Sequence, residues 1–128
     1  MTIKSKSPSC GLKTDKWGPC FWMHMHLVAA GFPLKYAKHR RRAYMRYFKD
    51  IGQVLPCSKC RVHYQSILKQ YIDRGTYESK FKDRKTLQVF VHGIHNKINK
   101  RLNKPTQSIK ILETYNTQFI EDNFRASC

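Results

Sequence analysis

The sequence carries one pair of cysteines whose spacing lets two thiols react together, in the segment Pro56-Cys57-Ser58-Lys59-Cys60. Apolar residues recur at helical intervals from Ser58 to Ile72, so the pair opens a predicted helix. A helix N-terminus and the neighbouring cations Lys59 and Arg61 favour the thiolate, which is the attacking species in disulfide exchange. The spacing therefore indicates a disulfide that is readily exchanged.

Two other interpretations of the cysteine pair remain open from the residues alone. The first is half of a zinc site, which needs two further ligands from His63, His92 and His95. The interval from Cys60 to His92 is longer than in the familiar zinc finger, and His92 and His95 stand closer together, so the spacing favours the redox interpretation. The second is a pair of structural thiols.

Two further segments present groups that suit a planar ligand with phosphates. The first runs from His95 to Lys104, where a predicted helix offers an imidazole, carboxamides and cations on one face. Its alternative interpretation is a solvated basic helix end that the helix dipole stabilises. In the second, from Trp17 to His26, the side chains of Trp22 and His26 stand one helical turn apart and can line the same pocket. Aromatic residues at this spacing are more often part of a core.

Composition limits the kind of protein. The 128 residues carry 25 Lys and Arg against 8 Asp and Glu, a formal net charge of +17, which points first to an anionic partner such as nucleic acid, an anionic membrane or an acidic protein. With 41% hydrophobic and 12% aromatic residues, the chain has enough apolar material for one folded domain. The longest mainly apolar stretch, from Phe21 to Leu34, is shorter than the roughly 20 residues of a spanning helix, so we expect a soluble protein without a transmembrane segment.

The five cysteines, an odd number, argue against a static disulfide framework. The segment from Met1 to Lys16 has no apolar signal region, so we expect a reducing compartment. In such a compartment a CxxC pair is more often catalytic or metal-binding than structural. Cys20 lies early in the first predicted helical region, where we expect a buried thiol.

Five segments are predicted to be helical: 21–30, 36–54, 58–72, 84–102 and 108–115. Gly31 and Pro33 end the first of them, and Pro56 ends the second. Strand-type alternation is missing, so the sequence predicts an all-α fold, a four-helix bundle with a short fifth helix. The residues expected to face inward are Ala37, Tyr44, Phe48, Ile51, Tyr64, Ile67, Leu68, Tyr71, Leu87, Phe90, Val91, Ile94, Ile98 and Leu102. The run from His39 to Arg42 is expected to face water.

Taken in order, these segments resemble the Erv/ALR family of FAD-dependent sulfhydryl oxidases, and particularly the short versions made by large DNA viruses. The match covers about 100 residues, from Trp17 to Asn116. Its motifs are Trp17-Gly18, Trp22-x-x-x-His26 with Ala29-Ala30, Pro56-Cys57-x-x-Cys60, and His95-Asn96-x-x-Asn99-x-x-Leu102-x-Lys104-Pro105. The chain departs from the family at Tyr115, where a tryptophan is usual, and at Leu55, where cellular members have an aromatic residue.

The resemblance implies a helical bundle that holds FAD between its helices, often as a homodimer. It implies an enzyme in which the thiols of a substrate protein, or of a thioredoxin-like relay protein, reduce the disulfide Cys57-Cys60 by exchange. Cys57 would take the outer, interchange role, and Cys60 would lie against the flavin ring. The two electrons would then pass to oxygen, which gives hydrogen peroxide.

The same resemblance implies a set of cofactor contacts. They are Trp17, Gly18, Trp22 and His26 around the flavin and the adenosine part, His95, Asn96 and Asn99 on the adenine and ribose side, Lys100, Arg101 and Lys104 near the phosphates, and in addition Leu102 and Tyr115. No metal ligand is part of this set.

The chain divides into a flexible basic arm over residues 1–16, an oxidase domain over 17–116 and a tail over 117–128. Many members of the family relay electrons through a further pair of cysteines on an arm, and this chain has no second CxxC or CxC. Cys10 in the arm and Cys128 in the tail could pair with each other, pair across a dimer, serve as single relays or be inert thiols. By resemblance to the viral members, we expect the cytoplasm of an infected host cell, or the virion, as the location.

The alternative function is a zinc-bound basic helical module that binds nucleic acid. It would use the faces from Arg40 to Arg46 and from Lys97 to Lys104. Under the oxidase interpretation, nucleic acid is a secondary candidate partner for the positive charge that the cofactor does not use.

Overall fold

Five α-helices form the fold in a computed structural model, which describes residues 11–34 and 38–121. They are α1 (Thr14–Ala30), α2 (Lys38–Asp50), α3 (Ser58–Asp73), α4 (Arg84–Arg101) and α5 (Ile111–Asn116). Short 3₁₀ turns follow α2 (Ile51–Gln53) and precede α4 (Glu78–Phe81), and a π-helical turn (Thr117–Glu121) follows α5. The described residues contain no strand, and the predicted all-α fold with a short fifth helix is confirmed. None of these helices has the length and apolar character that crossing a membrane requires.

The ends of the helices differ most from the prediction in α1 and α2. Helix α1 begins at Thr14, whereas the sequence predicted a start at Phe21. The prediction missed the first turn because that turn is polar and carries no apolar periodicity. Asp15 in that turn stabilises the positive end of the helix dipole. Helix α2 ends at Asp50 and continues as the 3₁₀ turn, and Ala37 lies outside the described residues.

The core lies between the helices and includes the turn before α4. The residues predicted to face inward that are buried are Phe48, Tyr64, Ile67, Leu68, Leu87, Phe90, Val91 and Ile94. Those that are half-buried against the core are Tyr44, Ile51, Tyr71 and Ile98. The apolar periodicity thus oriented α3 and α4 correctly, whereas the buried Phe32 and Phe81 lie in segments for which it made no prediction.

Three predicted orientations are wrong. Leu102 is 37% exposed, because α4 ends at Arg101 and Asn103 takes a left-handed φ of 56°, which turns the chain back on the helix. Cys20 is exposed on α1 rather than buried. The side chain of Arg41 does not face water, since it is 17% exposed and forms an ion pair with Glu78 at 2.6 Å.

The start of α3 is fixed against the end of α2 by one close contact. The hydroxyl of the buried Tyr64 donates a hydrogen bond to the Phe48 carbonyl at 2.5 Å. Its ring lies so near the 3₁₀ turn that a Cβ at Gly52 would be 2.5 Å from the Tyr64 Cδ1. Gln65 also donates to the Gly52 carbonyl, at 3.1 Å. Because Tyr64 follows Cys60 by one helical turn, this contact sets the position of the cysteine pair.

Gly52→Ala is expected to lower the free energy of unfolding by about 1–3 kcal/mol, because the new methyl group overpacks the Tyr64 ring. Gly93→Ala in α4 is the matched control, since a Cβ there meets nothing within 4 Å. Alanine is also the better helix former by about 1 kcal/mol, so this variant should be at least as stable as the parent. Urea unfolding followed by circular dichroism measures both. Equal stability of the two variants would contradict the contact.

Candidate active site

The cysteine pair lies at the N-terminus of α3, as the sequence predicted. Cys57 is the N-cap residue, with an extended backbone (φ −154°, ψ 124°), and its Sγ accepts a hydrogen bond from the Cys60 amide at 3.4 Å. Both residues are thiols in this structure. Arg61 donates from Nη1 to the Leu55 carbonyl at 2.6 Å, which fixes the segment before the pair. The two sulfurs are therefore held within one helical turn.

The two thiols differ in acidity. Burial raises the pKa of Cys57, but hydrogen bonds from the Cys60 thiol and from the amides of Cys60 and Lys59 outweigh it, so the pKa lies below the ordinary value. Burial and the hydrogen bond to Cys57 raise the pKa of Cys60 to about 12. In the reduced pair, Cys57 thus loses its proton more readily than Cys60 does. This is the arrangement of a nucleophilic thiol and a partner that hydrogen-bonds to it.

A cavity of about 260 Å³ opens beside Cys60, between α1, α3, α4 and α5. The predicted site residues that line it are Trp17, Gly18, Trp22, His26, Cys60, His95, Leu102, Lys104 and Tyr115. The lining residues that sequence reasoning missed are Thr14, Pro19, Phe21, Met23, Leu55, His63, Tyr64, Ile98 and Gln107. His63 and Tyr64 could have been found, because they follow Cys60 by three and four positions on the same helix. Cys57 is not part of the lining.

The far wall of the cavity is built from stacked aromatic rings. Trp22 and His95 lie parallel, with ring centroids 4.2 Å apart and planes inclined by 7°. The Nε2 of His26 and the Nδ1 of His95 are 3.1 Å apart, a hydrogen bond in which one ring donates. The ring of Tyr115 lies against His26 at 4.6 Å. This wall joins α1, α4 and α5.

Both histidines of the wall are neutral near pH 7. Burial, and then the neighbouring imidazoles, lower the pKa of His26 and of His95 to about 4. A buried imidazole that stays neutral can donate one hydrogen bond and accept another. The wall therefore presents flat, uncharged rings to a ligand.

Besides Cys57, four predicted site residues do not line the cavity. Asn96 bonds the backbone of Gln107 in both directions, from Nδ2 to the carbonyl and from the amide to Oδ1, each at 2.8 Å. Asn99 is buried, while Lys100 and Arg101 are exposed at the end of α4. Asn96 instead fixes the loop that carries Gln107 to the cavity.

The zinc interpretation finds no ligand set in the part of the chain that the structure describes. No cluster of three or more His, Cys, Asp or Glu side chains there is arranged to hold a metal ion. His92, a proposed ligand, is bonded through Nε2 to the Gln107 carbonyl at 3.0 Å. Cys10 and Cys128 lie outside the described residues, so their roles stay predictions.

The relatives found by comparison with known proteins include viral proteins. A putative FAD-linked sulfhydryl oxidase of Invertebrate iridescent virus 3 is 32% identical over 104 residues, which is 80% of this chain and 68% of the relative. A probable FAD-linked sulfhydryl oxidase of Acanthamoeba polyphaga mimivirus is 30% identical over 88 residues, which is 69% of this chain and 59% of the relative. This chain thus spans about three fifths to two thirds of their lengths.

The fold has a counterpart among solved structures. The crystal structure of the yeast Erv1 core superimposes with a TM-score of 0.71 at 18% sequence identity, over 94% of this chain and 92% of that chain. The sequence model of the Erv1 / Alr family matches residues 19–122. Because that match covers most of the chain, and the viral relatives agree with it, this chain belongs to the Erv1/Alr family.

Proposed function

We propose that this chain is a FAD-linked sulfhydryl oxidase, which converts two thiols and oxygen into a disulfide and hydrogen peroxide. The observation that carries the proposal is that Cys60, one of two CxxC thiols that differ in acidity, lines a cavity with flat aromatic walls. The names of the viral relatives support it. It is an oxidoreductase function in which Cys57-Cys60 is the redox-active disulfide.

The cavity fits the planar part of FAD. Its volume of about 260 Å³ lies just below the roughly 300–1,000 Å³ of small-molecule sites, so it suits one ring system next to Cys60 rather than the whole dinucleotide. The Trp22 and His95 stack offers a second flat surface, and Lys104 brings a cation to the rim. The chemistry that FAD supplies when bound is two-electron transfer between a dithiol and oxygen.

Thiol exchange at the cysteine pair follows from the acidities. A substrate thiolate attacks the Cys57 Sγ, the Cys57-Cys60 bond breaks, and Cys60 takes up a proton. A second substrate thiolate then attacks the substrate sulfur of the mixed disulfide and expels Cys57. The lowered pKa of Cys57 makes it the better leaving group in this second step. The outer role of Cys57 agrees with its place outside the cavity lining.

The partners and the location are part of the proposal. The substrate is the thiol of a protein or of a thioredoxin-like relay protein, and oxygen is the electron acceptor. The proposed location is the cytoplasm of an infected host cell or the virion, and the viral source of two relatives supports it.

Cys60→Ser is expected to retain FAD and to lose thiol oxidase turnover, because Cys57 then has no partner with which to form a disulfide. Anaerobic addition of dithiothreitol should bleach the flavin absorbance of the parent and leave that of the variant unchanged. Cys20→Ser is the control, since Cys20 is an exposed thiol outside the cavity, and it should behave as the parent. Unchanged oxygen consumption by Cys60→Ser would refute the role of Cys60, and a parent that binds no flavin would refute the proposed function.

Acid is expected to destabilise the aromatic wall. In an unfolded chain histidines take up protons near pH 6.5, whereas His26 and His95 in the folded chain do so only near pH 4. Their contribution to stability is complete above about pH 6.5 and falls as the pH decreases toward about 4. His95→Phe keeps a ring beside Trp22 and removes one titrating group, so its Tm should fall less between pH 7 and 5 than that of the parent.

Thermal unfolding followed by circular dichroism measures this effect, and flavin absorbance per protein measures retention at the same pH values. His39→Gln is the control, since His39 is exposed on α2. It should follow the parent at each pH. A His95→Phe variant that loses stability as steeply as the parent would show that the histidine pair does not cause the acid sensitivity.

The homodimer that the family resemblance implies is also part of the proposal, through the open apolar groove between α1 and α2. The groove is lined by Leu27, Val28, Ala43 and Tyr44.

Leu27→Glu is expected to shift a dimer toward monomers, because it places a charge in the buried interface. Light scattering coupled to size-exclusion chromatography measures the mass. Val89→Glu on α4 is the control, because Val89 is 43% exposed where Leu27 is 44% exposed. A parent that elutes as a monomer contradicts the dimer.

A further inference from the structure

A short segment before α1 lies against the backbone of Pro56 and Cys57. The Leu12 amide donates a hydrogen bond to the Pro56 carbonyl at 2.6 Å, and the Leu12 carbonyl accepts one from the Trp17 indole Nε1 at 3.1 Å. We name Gly11–Leu12 the strap. The Leu12 side chain is 61% exposed, so the strap is held through its backbone and not through apolar packing.

The strap approaches the backbone of the cysteine pair as closely as glycine permits. Gly11 has a left-handed φ of 68°, and a Cβ built on it would lie 2.1 Å from the Pro56 carbonyl oxygen and 2.7 Å from the Cys57 Cα. No side chain fits in that space. With the strap in place, Cys57 is only 8% exposed although it stands at the open end of a helix.

The strap is held as a bound peptide would be, by a backbone hydrogen bond to the Pro56 carbonyl. The carbonyls of Leu55 and Cys57 accept hydrogen bonds from Arg61, whereas the Pro56 carbonyl accepts its bond from the strap. If the strap leaves, the Pro56 carbonyl becomes a free backbone acceptor on the residue directly before Cys57. Extended peptides bind through such main-chain groups, and their side chains add specificity.

The strap is also easy to displace. Its hold on the fold rests on two hydrogen bonds, each of which is worth a factor of about 2–10 in an equilibrium. Segments with few buried apolar contacts open at low free energy. A substrate segment that forms the same bond to Pro56 would compensate for the bond that is lost.

We propose that the strap occupies the position at which an extended segment of a substrate protein docks beside Cys57, so that the substrate must displace the strap. The proposal deepens the oxidase function and rests on it. The ligand is a flexible peptide that carries a cysteine, held by a backbone hydrogen bond to the Pro56 carbonyl. A small residue fits best where Gly11 lies, because the same space limits the substrate.

The experiment measures access to Cys57 in the full chain. Alkylation of the reduced protein by iodoacetamide is followed over time by mass spectrometry of the Cys57 peptide. Gly11→Ala removes the fit of the strap, and Leu12→Pro removes the amide that bonds Pro56. Each should speed alkylation of Cys57 by about threefold to tenfold, or more, relative to the parent.

Gly75→Ala is the matched control. Gly75 has the same left-handed φ, 70°, but a Cβ there meets nothing within 4 Å, so the variant reproduces the backbone strain without the contact. It should be alkylated at the parent rate. Circular dichroism verifies that each variant is folded, and either strap variant suffices if the other fails to fold.

A second measurement addresses the substrate. The ratio of kcat/KM for a reduced, unfolded protein to that for dithiothreitol should rise severalfold in Gly11→Ala, because only the extended chain uses the vacated position. Parental or slower alkylation of both strap variants overturns the proposal, and so does a ratio that stays the same or falls. The alkylation readout needs neither flavin nor oxygen, so a failed oxidase assay of the parent counts against the proposed function and not against the strap.

Discussion

The hydrogen bonds that reach Cys57 from the first turn of α3 constrain everything around them. A helix start leaves amides without partners, and here the cap that accepts one of them is the reactive sulfur itself. A thiolate accepts such bonds far better than a thiol or a disulfide sulfur does. Loss of the Cys57 proton would therefore also stabilise the start of α3. The hydrogen bond from the Cys60 amide to Cys57 links this effect to the residue that lines the cavity.

The aromatic wall of the cavity is uncharged because its two histidines are buried. The histidine pair is desolvated between Trp22 and Tyr115, which keeps both imidazoles uncharged and leaves the wall flat. Cations lie at its margin, with Lys104 on the rim and Lys100 and Arg101 exposed beyond it. The aromatic wall suits the planar ring of a ligand, and the cations at the margin suit phosphates further along the same ligand.

Much of this arrangement follows from local sequence. The periodicity of α3 placed Cys60 and Tyr64 on one face, and the ordered aromatic and histidine motifs placed Trp22, His26 and His95 in one cavity. Spacing alone could not assign Asn96, because a helical stripe does not reveal whether a carboxamide meets a ligand or a loop eleven residues away. Contacts made by the backbone, such as the bond from Leu12 to Pro56, leave no side-chain pattern to read. The first turn of α1 is polar, so the apolar periodicity could not predict it either.

The chain reversal at Asn103 gives the cavity two kinds of boundary. The far wall consists of side chains on helices that pack into the core. The rim from Leu102 to Gln107 is exposed up to Thr106 and half-buried at Gln107, and hydrogen bonds to Asn96 and Asn99 hold it in place. Hydrogen-bonded segments of this sort fluctuate locally while a packed core does not. Local opening of the rim would therefore widen the cavity while the aromatic far wall stays packed.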